Sequence, residues 1–182
     1  IVIAKGLTEL MGGSIAAKSG REKGTVFRVE LAFDRMEEKE ETETESEALA
    51  GKRLLLAEDD RLCGEILCEL LEDETGRPVS IAANGRAALE MFESANGEYD
   101  AIIMDVQMPV MNGYEAARAI RRSGCGNAKT VPIIALTADA SEESARSAAD
   151  SGMNGCLAKP VNIDRLRKAV AAALKSLSVA YR

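Results

Sequence analysis

Residues 54–60 read LLLAEDD, four apolar residues that break without transition into three acids. A run that short, and apolar on both faces, is the pattern of a strand buried in a parallel sheet, and the acids mark where it surfaces. Working outward, the same kind of run recurs at Val79 to Ala82, Ala101 to Met104, Val131 to Leu136 and Cys156 to Ala158. Amphipathic stretches lie between the runs. Leu62, Cys63, Ile66, Leu67, Leu70 and Leu71 recur at helical spacing after Asp60, a residue type that caps helix starts. Ile163, Leu166, Val170, Leu174 and Leu177 share one face of a last helix, with Asn162 placed to cap it. Five strands alternating with five helices predict a doubly wound α/β domain with right-handed crossovers. In such folds ligands bind beyond the carboxyl ends of the strands.

Polar residues stand at those ends. Glu58, Asp59 and Asp60 follow the first run, Asp105 the third, Thr137 the fourth and Lys159-Pro160 the fifth. Taken singly, each has an ordinary reading: a helix cap beside a solvated neighbour, a turn threonine, a surface lysine. Taken together, in order along one sheet edge, they converge on one pocket. Clustered carboxylates raise each other's pKa unless a cation sits between them, and an oxygen-rich, hydrated cluster suits Mg²⁺ better than zinc. A phosphoryl group entering such a pocket is bridged by the metal, held by the Lys159 ammonium and hydrogen-bonded by the Thr137 hydroxyl. Asp105 is left as the nucleophile, and its attack on phosphorus gives an acyl phosphate.

Composition narrows the alternatives. No run approaches the length of a membrane span, and Ile1 to Ile3 is too short for a secretory signal. Ile1 in place of an initiating methionine leads us to expect further sequence upstream in the same protein. Cys63, Cys68, Cys125 and Cys156 show no CxxC spacing, which reads as reduced thiols in a cytoplasmic setting. There is no histidine, so any phosphohistidine donor lies outside these residues. The net charge of −7 gives nucleic-acid binding no support. Much of it sits in residues 34–50, DRMEEKEETETESEALA, where eight acids face two bases. That stretch cannot bury enough apolar surface to order itself and reads as a linker, with a solvated acidic helix as the alternative. The chain then divides into residues 1–33, the linker 34–50 and a domain over 51–182.

The stretches LLLAEDD (54–60), YDAIIMDVQMPVMNGYE (99–115), VPIIALTAD (131–139) and GCLAKPV (155–161) resemble the response-regulator receiver domains of two-component signalling. The resemblance covers roughly Lys52 to Leu177 and implies a flavodoxin-like five-stranded parallel sheet of order 2-1-3-4-5. It implies that Asp105 is phosphorylated and that Asp59 ligates Mg²⁺ directly. Glu58 would act on the ion mainly through water, and the Gln107 carbonyl would complete the protein's share. Lys159 would contact phosphoryl oxygens, with a cis peptide before Pro160, and Thr137 would move toward the phosphate and couple it to the following helix. Met108-Pro109 and Asn112-Gly113 would form the turn over the site, and Gln107 and Asp139 would tune the approach of water. The family usually carries an aromatic residue three before the lysine; Cys156 stands there, so an aromatic rotamer switch cannot operate at that position.

Residues 1–33 read as a helix ending at Gly12-Gly13 and two strands, Ser14 to Lys18 and Thr25 to Phe33, a small αββ piece. With GTVF at 24–27 they look like the closing segment of a histidine-kinase ATP-binding domain. That resemblance implies a hybrid histidine kinase, membrane-anchored upstream, as the parent. This chain lacks the motifs that bind ATP and would catalyse only its own phosphorylation and dephosphorylation. Its partners would be a phosphohistidine donor, either a kinase dimerisation domain or a phosphotransfer protein, and a downstream histidine acceptor. The competing reading is a receiver-like module that binds protein without phosphorylation. An aspartyl-phosphate phosphatase of the haloacid-dehalogenase type would want a second Asp where Gln107 stands. A DNA-binding regulator would want an output domain after Leu177.

Overall fold

The structure is a computed structural model that describes residues 5, 8, 13–20, 24–30, 49–139 and 141–180. The chain divides into two compact units, residues 1–40 and 41–182. In the first, β1 (Ser14–Gly20) and β2 (Gly24–Glu30) form an antiparallel ribbon in which Ser14 faces Glu30 and Gly20 faces Gly24. β1 thus runs two residues beyond the expected end, because its register with β2 continues to the turn. Of the expected preceding helix only Lys5 and Thr8 are described, both helical, and Gly13 N–H donates to the Thr8 carbonyl at 2.9 Å. Residues 31–33 of the second strand and 34–48 of the linker lie outside the described residues.

In the second unit the parallel strands β3 (Leu54–Ala57), β4 (Ser80–Ala82), β5 (Ala101–Asp105), β6 (Ile133–Thr137) and β7 (Gly155–Ala158) lie in the order β4-β3-β5-β6-β7. This is the expected 2-1-3-4-5 arrangement. The helices are α1 (Arg61–Thr75), α2 (Gly85–Ser94), α3 (Gly113–Arg122), α4 (Glu142–Asp150) and α5 (Ile163–Ala180). Strand side chains alternate between two cores. Leu54, Leu56, Ile103, Ile134 and Leu136 pack with Leu67 and Leu71 of α1 and Leu166 and Val170 of α5. Leu55, Ile102, Met104, Ile133 and Ala135 pack with Phe92 of α2, Ala117 and Ile120 of α3 and Ala148 of α4. A single strand therefore contributes to both cores with alternate residues, as the absence of a polar face demands. Leu49, placed in the linker by the composition of its neighbours, is fully buried in the core beneath α1 and α5.

Local chemistry fixes the helix starts. The Asp60 carboxylate accepts the Cys63 N–H at 2.9 Å, and Asn162 accepts that of Arg165 at 2.9 Å. Asn112 and Glu115 form a reciprocal capping box at the start of α3. α1 ends at Gly76, whose φ of 66° closes the helix in the left-handed region. No helix among the described residues is long and apolar enough to cross a membrane.

Candidate functional site

The carboxyl edge of the sheet gathers the polar residues the sequence placed at strand ends. Glu58 follows β3, and its N–H donates to the Ala82 carbonyl at 3.0 Å, extending the β4 pairing by one residue. Asp105 and Thr137 are the last residues of β5 and β6, each still paired to the next strand. Lys159 follows β7, its N–H donating to the Thr137 carbonyl at 2.7 Å, and the peptide between Lys159 and Pro160 is cis. Sheet pairing carried to the rim is what holds these side chains in register.

One carboxylate oxygen from each of Glu58, Asp59 and Asp105 lies within 4.8 Å of the others. Glu58 and Asp105 are buried and Asp59 is exposed. Lys159 Nζ donates to Glu58 Oε2 at 2.7 Å, Glu58 Oε1 at 3.0 Å and Asp105 Oδ2 at 2.7 Å. The other oxygen of Asp105, Oδ1, accepts the Gln107 N–H at 3.1 Å. Burial, then the charge of Asp105, raises the Glu58 pKa against the lowering effect of the Lys159 hydrogen bond. For Lys159 burial acts downward, but the hydrogen bonds to Asp105 and Glu58 outweigh it and the ammonium is held above its ordinary pKa. A buried acidic pair is thus neutralised in part by one lysine.

An all-oxygen cluster with one arm open to solvent fits a hard divalent cation. The residues present can hold such an ion, and Lys159 shows that positive charge is accommodated there. Asp60 turns away to cap α1 and stays outside the cluster. Thr137 is buried; its hydroxyl donates to the Asp139 carbonyl at 3.1 Å and accepts the Asp139 N–H at 3.3 Å, so it faces its own loop. The Gln107 side chain is exposed, and Asp139 is exposed with its carboxylate accepting the Ser141 N–H at 3.1 Å.

The loop from Asp105 to α3 is tightly built. A Cβ on Gly113 would strike the Asp105 carbonyl, so only glycine admits this approach of α3 to the strand end. Val110, at its tip, is 83% exposed with φ of 69°, a strained conformation for a β-branched residue. Beside the pocket, α1 splits the apolar set that its periodicity announced. Leu67 and Leu71 are buried, whereas Leu62 is 66% and Ile66 52% exposed, with Leu70 and Ile81 exposed beside them. Glu58, Cys63, Ile66, Leu70, Lys159 and Val161 line a groove of about 490 Å³ that joins this stripe to the pocket. Periodicity alone could not separate the two halves of the stripe.

Comparison with known proteins agrees with this geometry. Residues 54–171 match the family described as response regulator receiver domain. The virulence sensor protein BvgS of Bordetella bronchiseptica is 32% identical over 91% of this chain, which spans 14% of that protein. The receiver domain of the sensor histidine kinase PA1611 of Pseudomonas aeruginosa, solved with a magnesium ion coordinated in its active-site cleft, is 36% identical with a TM-score of 0.59. It covers 69% of this chain and 99% of its own. A chain from the Saccharomyces cerevisiae co-crystal of the histidine phosphotransfer protein Ypd1 with the receiver domain of Ssk1 is 32% identical with a TM-score of 0.60, covering 67% of this chain and 88% of its own.

Proposed function

The chain belongs to the response regulator receiver domain family, and from that premise we propose that Asp105 accepts a phosphoryl group from a phosphohistidine and passes it on or loses it to water. The observation that carries the proposal is the convergence of the Glu58, Asp59 and Asp105 carboxylates with the Lys159 ammonium across from them. An Asp105 oxygen forms the new bond to phosphorus as the bond from phosphorus to the donor imidazole breaks. Attack by water on phosphorus, or by a second imidazole, frees the carboxylate again. Glu58, Asp59 and Asp105, with the Gln107 carbonyl, would hold a magnesium ion, which would supply positive charge to the oxygens of the transferring group. Lys159 exchanges its Glu58 contacts for a phosphoryl oxygen, and Thr137 leaves the Asp139 carbonyl to donate to another. Gln107 and Asp139, both exposed, govern how water approaches. The added charge of about −1.5 to −2 then favours a second arrangement of the Thr137 loop.

The donor is a histidine-bearing helical domain that seats on the exposed stripe of α1. The apolar groove running from Ile66 to Lys159 supports this reading, because a helix lying in it would end beside Lys159, which contacts Asp105. The Ssk1 receiver and Ypd1 supply a precedent for such a partner. Residues 1–33 close the ATP-binding domain of a hybrid histidine kinase that works in the cytoplasm, with residues 34–50 as the linker to the receiver, residues 51–182, the end of that linker at Leu49 already packing into the receiver core. The ribbon supports this: Phe27 and Val29 share an exposed apolar face with Ile15 and Ala17, and two strands alone do not bury enough to stand unaided. The match to BvgS reaches into this region, since it covers 91% of the chain.

Incubation of the protein with acetyl phosphate and Mg²⁺ should add one phosphoryl group, read by intact mass, and Asp105→Asn should add none. Phosphorylation that survives Asp105→Asn would overturn the proposal, and a protein that binds partners equally well with and without phosphate would favour the phosphorylation-independent module. Calorimetric titration with ATP should give no heat of binding.

A further inference from the structure

The loop between Asp105 and α3 is closed on itself and then clamped from outside. The Gly113 N–H donates to the Val106 carbonyl at 3.0 Å, which makes a ring of residues 106–113. Val106 and Met108 are buried in the core shared with α2 and α3, so the ring is rooted at its start. Gln107, whose carbonyl is the expected metal ligand, stands between these roots, and its N–H donates to Asp105 Oδ1 at 3.1 Å. The return limb is firm at Asn112, which belongs to the α3 capping box, and soft at Val110, the exposed tip.

α2 grips that return limb end-on. The first N–H groups of a helix have no partner within it. Asn84 satisfies one of them by accepting the Ala87 N–H at 2.9 Å, and the Met111 carbonyl satisfies another by accepting the Gly85 N–H at 3.1 Å. Gly85 is buried, and a Cβ on it would stand 2.5 Å from the Met111 carbonyl oxygen, 2.8 Å from the Ala116 Cβ and 3.1 Å from the Asn112 carbonyl oxygen. Its φ is not positive, so space and not backbone conformation demands glycine there. The helix cannot easily retreat, because Ala88 and Phe92 are fully buried and Phe92 stacks on Tyr99 with ring centroids 6.4 Å apart. A side chain at position 85 would therefore move the loop. Three residues earlier, the Ala82 carbonyl accepts the Glu58 N–H at 3.0 Å, so the short turn from β4 to α2 holds the backbone on both sides of the carboxylate cluster.

We propose that this turn, residues 82–85, braces the cation site, and that Gly85 is a positioning residue whose bare Cα lets α2 seat the loop of residues 106–113 through the Met111 carbonyl. That seat sets where the Gln107 carbonyl stands toward a metal ion, although the turn itself offers no group to the chemistry. The proposal rests on the phosphoacceptor reading above.

Nuclear magnetic resonance and calorimetry on the full chain test it. In the metal-free protein Gly85→Ala should move the amide resonances of Gln107 and Met108 as well as those of Met111 and Asn112. Its Mg²⁺ affinity should fall about fivefold or more, and its phosphorylation by acetyl phosphate should recover at saturating Mg²⁺. Phe92→Leu, further along α2, should lower stability and leave the Mg²⁺ affinity parental. Coupling is reciprocal, so Mg²⁺ should slow hydrogen exchange of the Gly85 amide in the parental protein by roughly fivefold and leave that of Ala87 unchanged. This last measurement needs no variant and stands should Gly85→Ala fail to fold. Resonance changes confined to Met111 and Asn112, a parental Mg²⁺ affinity in folded Gly85→Ala, or a Gly85 amide indifferent to Mg²⁺ in a protein that binds it would overturn the proposal. If the parental protein binds no Mg²⁺, the phosphoacceptor reading fails, and the metal-free resonances still decide whether α2 seats the loop.

Discussion

The body of each strand and the residue at its carboxyl end follow opposite rules within a few ångströms. Leu56, Ile103 and Ile134 are apolar, fully buried and satisfied by packing alone. Glu58, Asp105 and Thr137 end the same strands, are nearly as buried, and carry polar atoms, two of them with the same charge. The backbone pairing is continuous across the change, so the difference lies in side-chain chemistry and not in strand geometry. The body stabilises the fold, and the rim holds groups whose mutual repulsion is tolerated because the body over-determines their positions.

Substitutions can break or sharpen that contrast. In the body, Ile134→Ala should lower stability by about 2–5 kcal/mol in denaturant unfolding, while the folded protein still takes phosphate. Gly113→Ala joins the two regions, since its new methyl meets the Asp105 carbonyl. It should cost about 1–3 kcal/mol and reduce phosphorylation as well. Because the Glu58 pKa lies above its ordinary 4.5, a proton competes with metal as the solution is acidified. Calorimetric Mg²⁺ affinity should therefore fall as the solution is acidified toward and through the raised Glu58 pKa, by at most about 1.4 kcal/mol per pH unit, and the slope should flatten in Glu58→Gln. At the rim, Asp105→Asn removes a like charge and leaves Lys159 its Glu58 partner. It should abolish phosphorylation yet leave stability the same or higher by up to about 1 kcal/mol. A loss as large as that of Ile134→Ala would erase the contrast. Smallest of all, Val110→Asn relieves a positive φ that valine resists and should raise the free energy of unfolding by about 0.5 kcal/mol in denaturant titration, with phosphorylation unchanged.

The strands and the polar rim were legible because buried parallel strands leave an unmistakable apolar run and because the rim residues interrupt it abruptly, whereas the strand order followed only from the resemblance to receiver domains. Boundaries moved where chemistry outside the run intervened. The fourth strand starts at Ile133 and not Val131, since Pro132 has no N–H for the ladder, although its carbonyl still accepts from Ile102 at 2.8 Å. Leu62 and Ile66 share the helical period of Leu67 and Leu71, yet the sheet covers only half of that stripe. Arg118 and Arg121 carried no legible signal, because their partners, the Ser151 hydroxyl and the Gly152 carbonyl, lie about thirty residues away across a turn that no local pattern describes. The bridging of Glu58 by Lys159 was hidden for the same reason, because only the closed sheet brings residues 101 positions apart into contact.

That bridge makes the resting pocket an ion exchanger. Lys159 is a tethered monovalent substitute at fixed local concentration, and a mobile divalent ion must outcompete it to enter. How tightly those carboxylates can grip such an ion is thereby written into the sequence by the reach of one lysine.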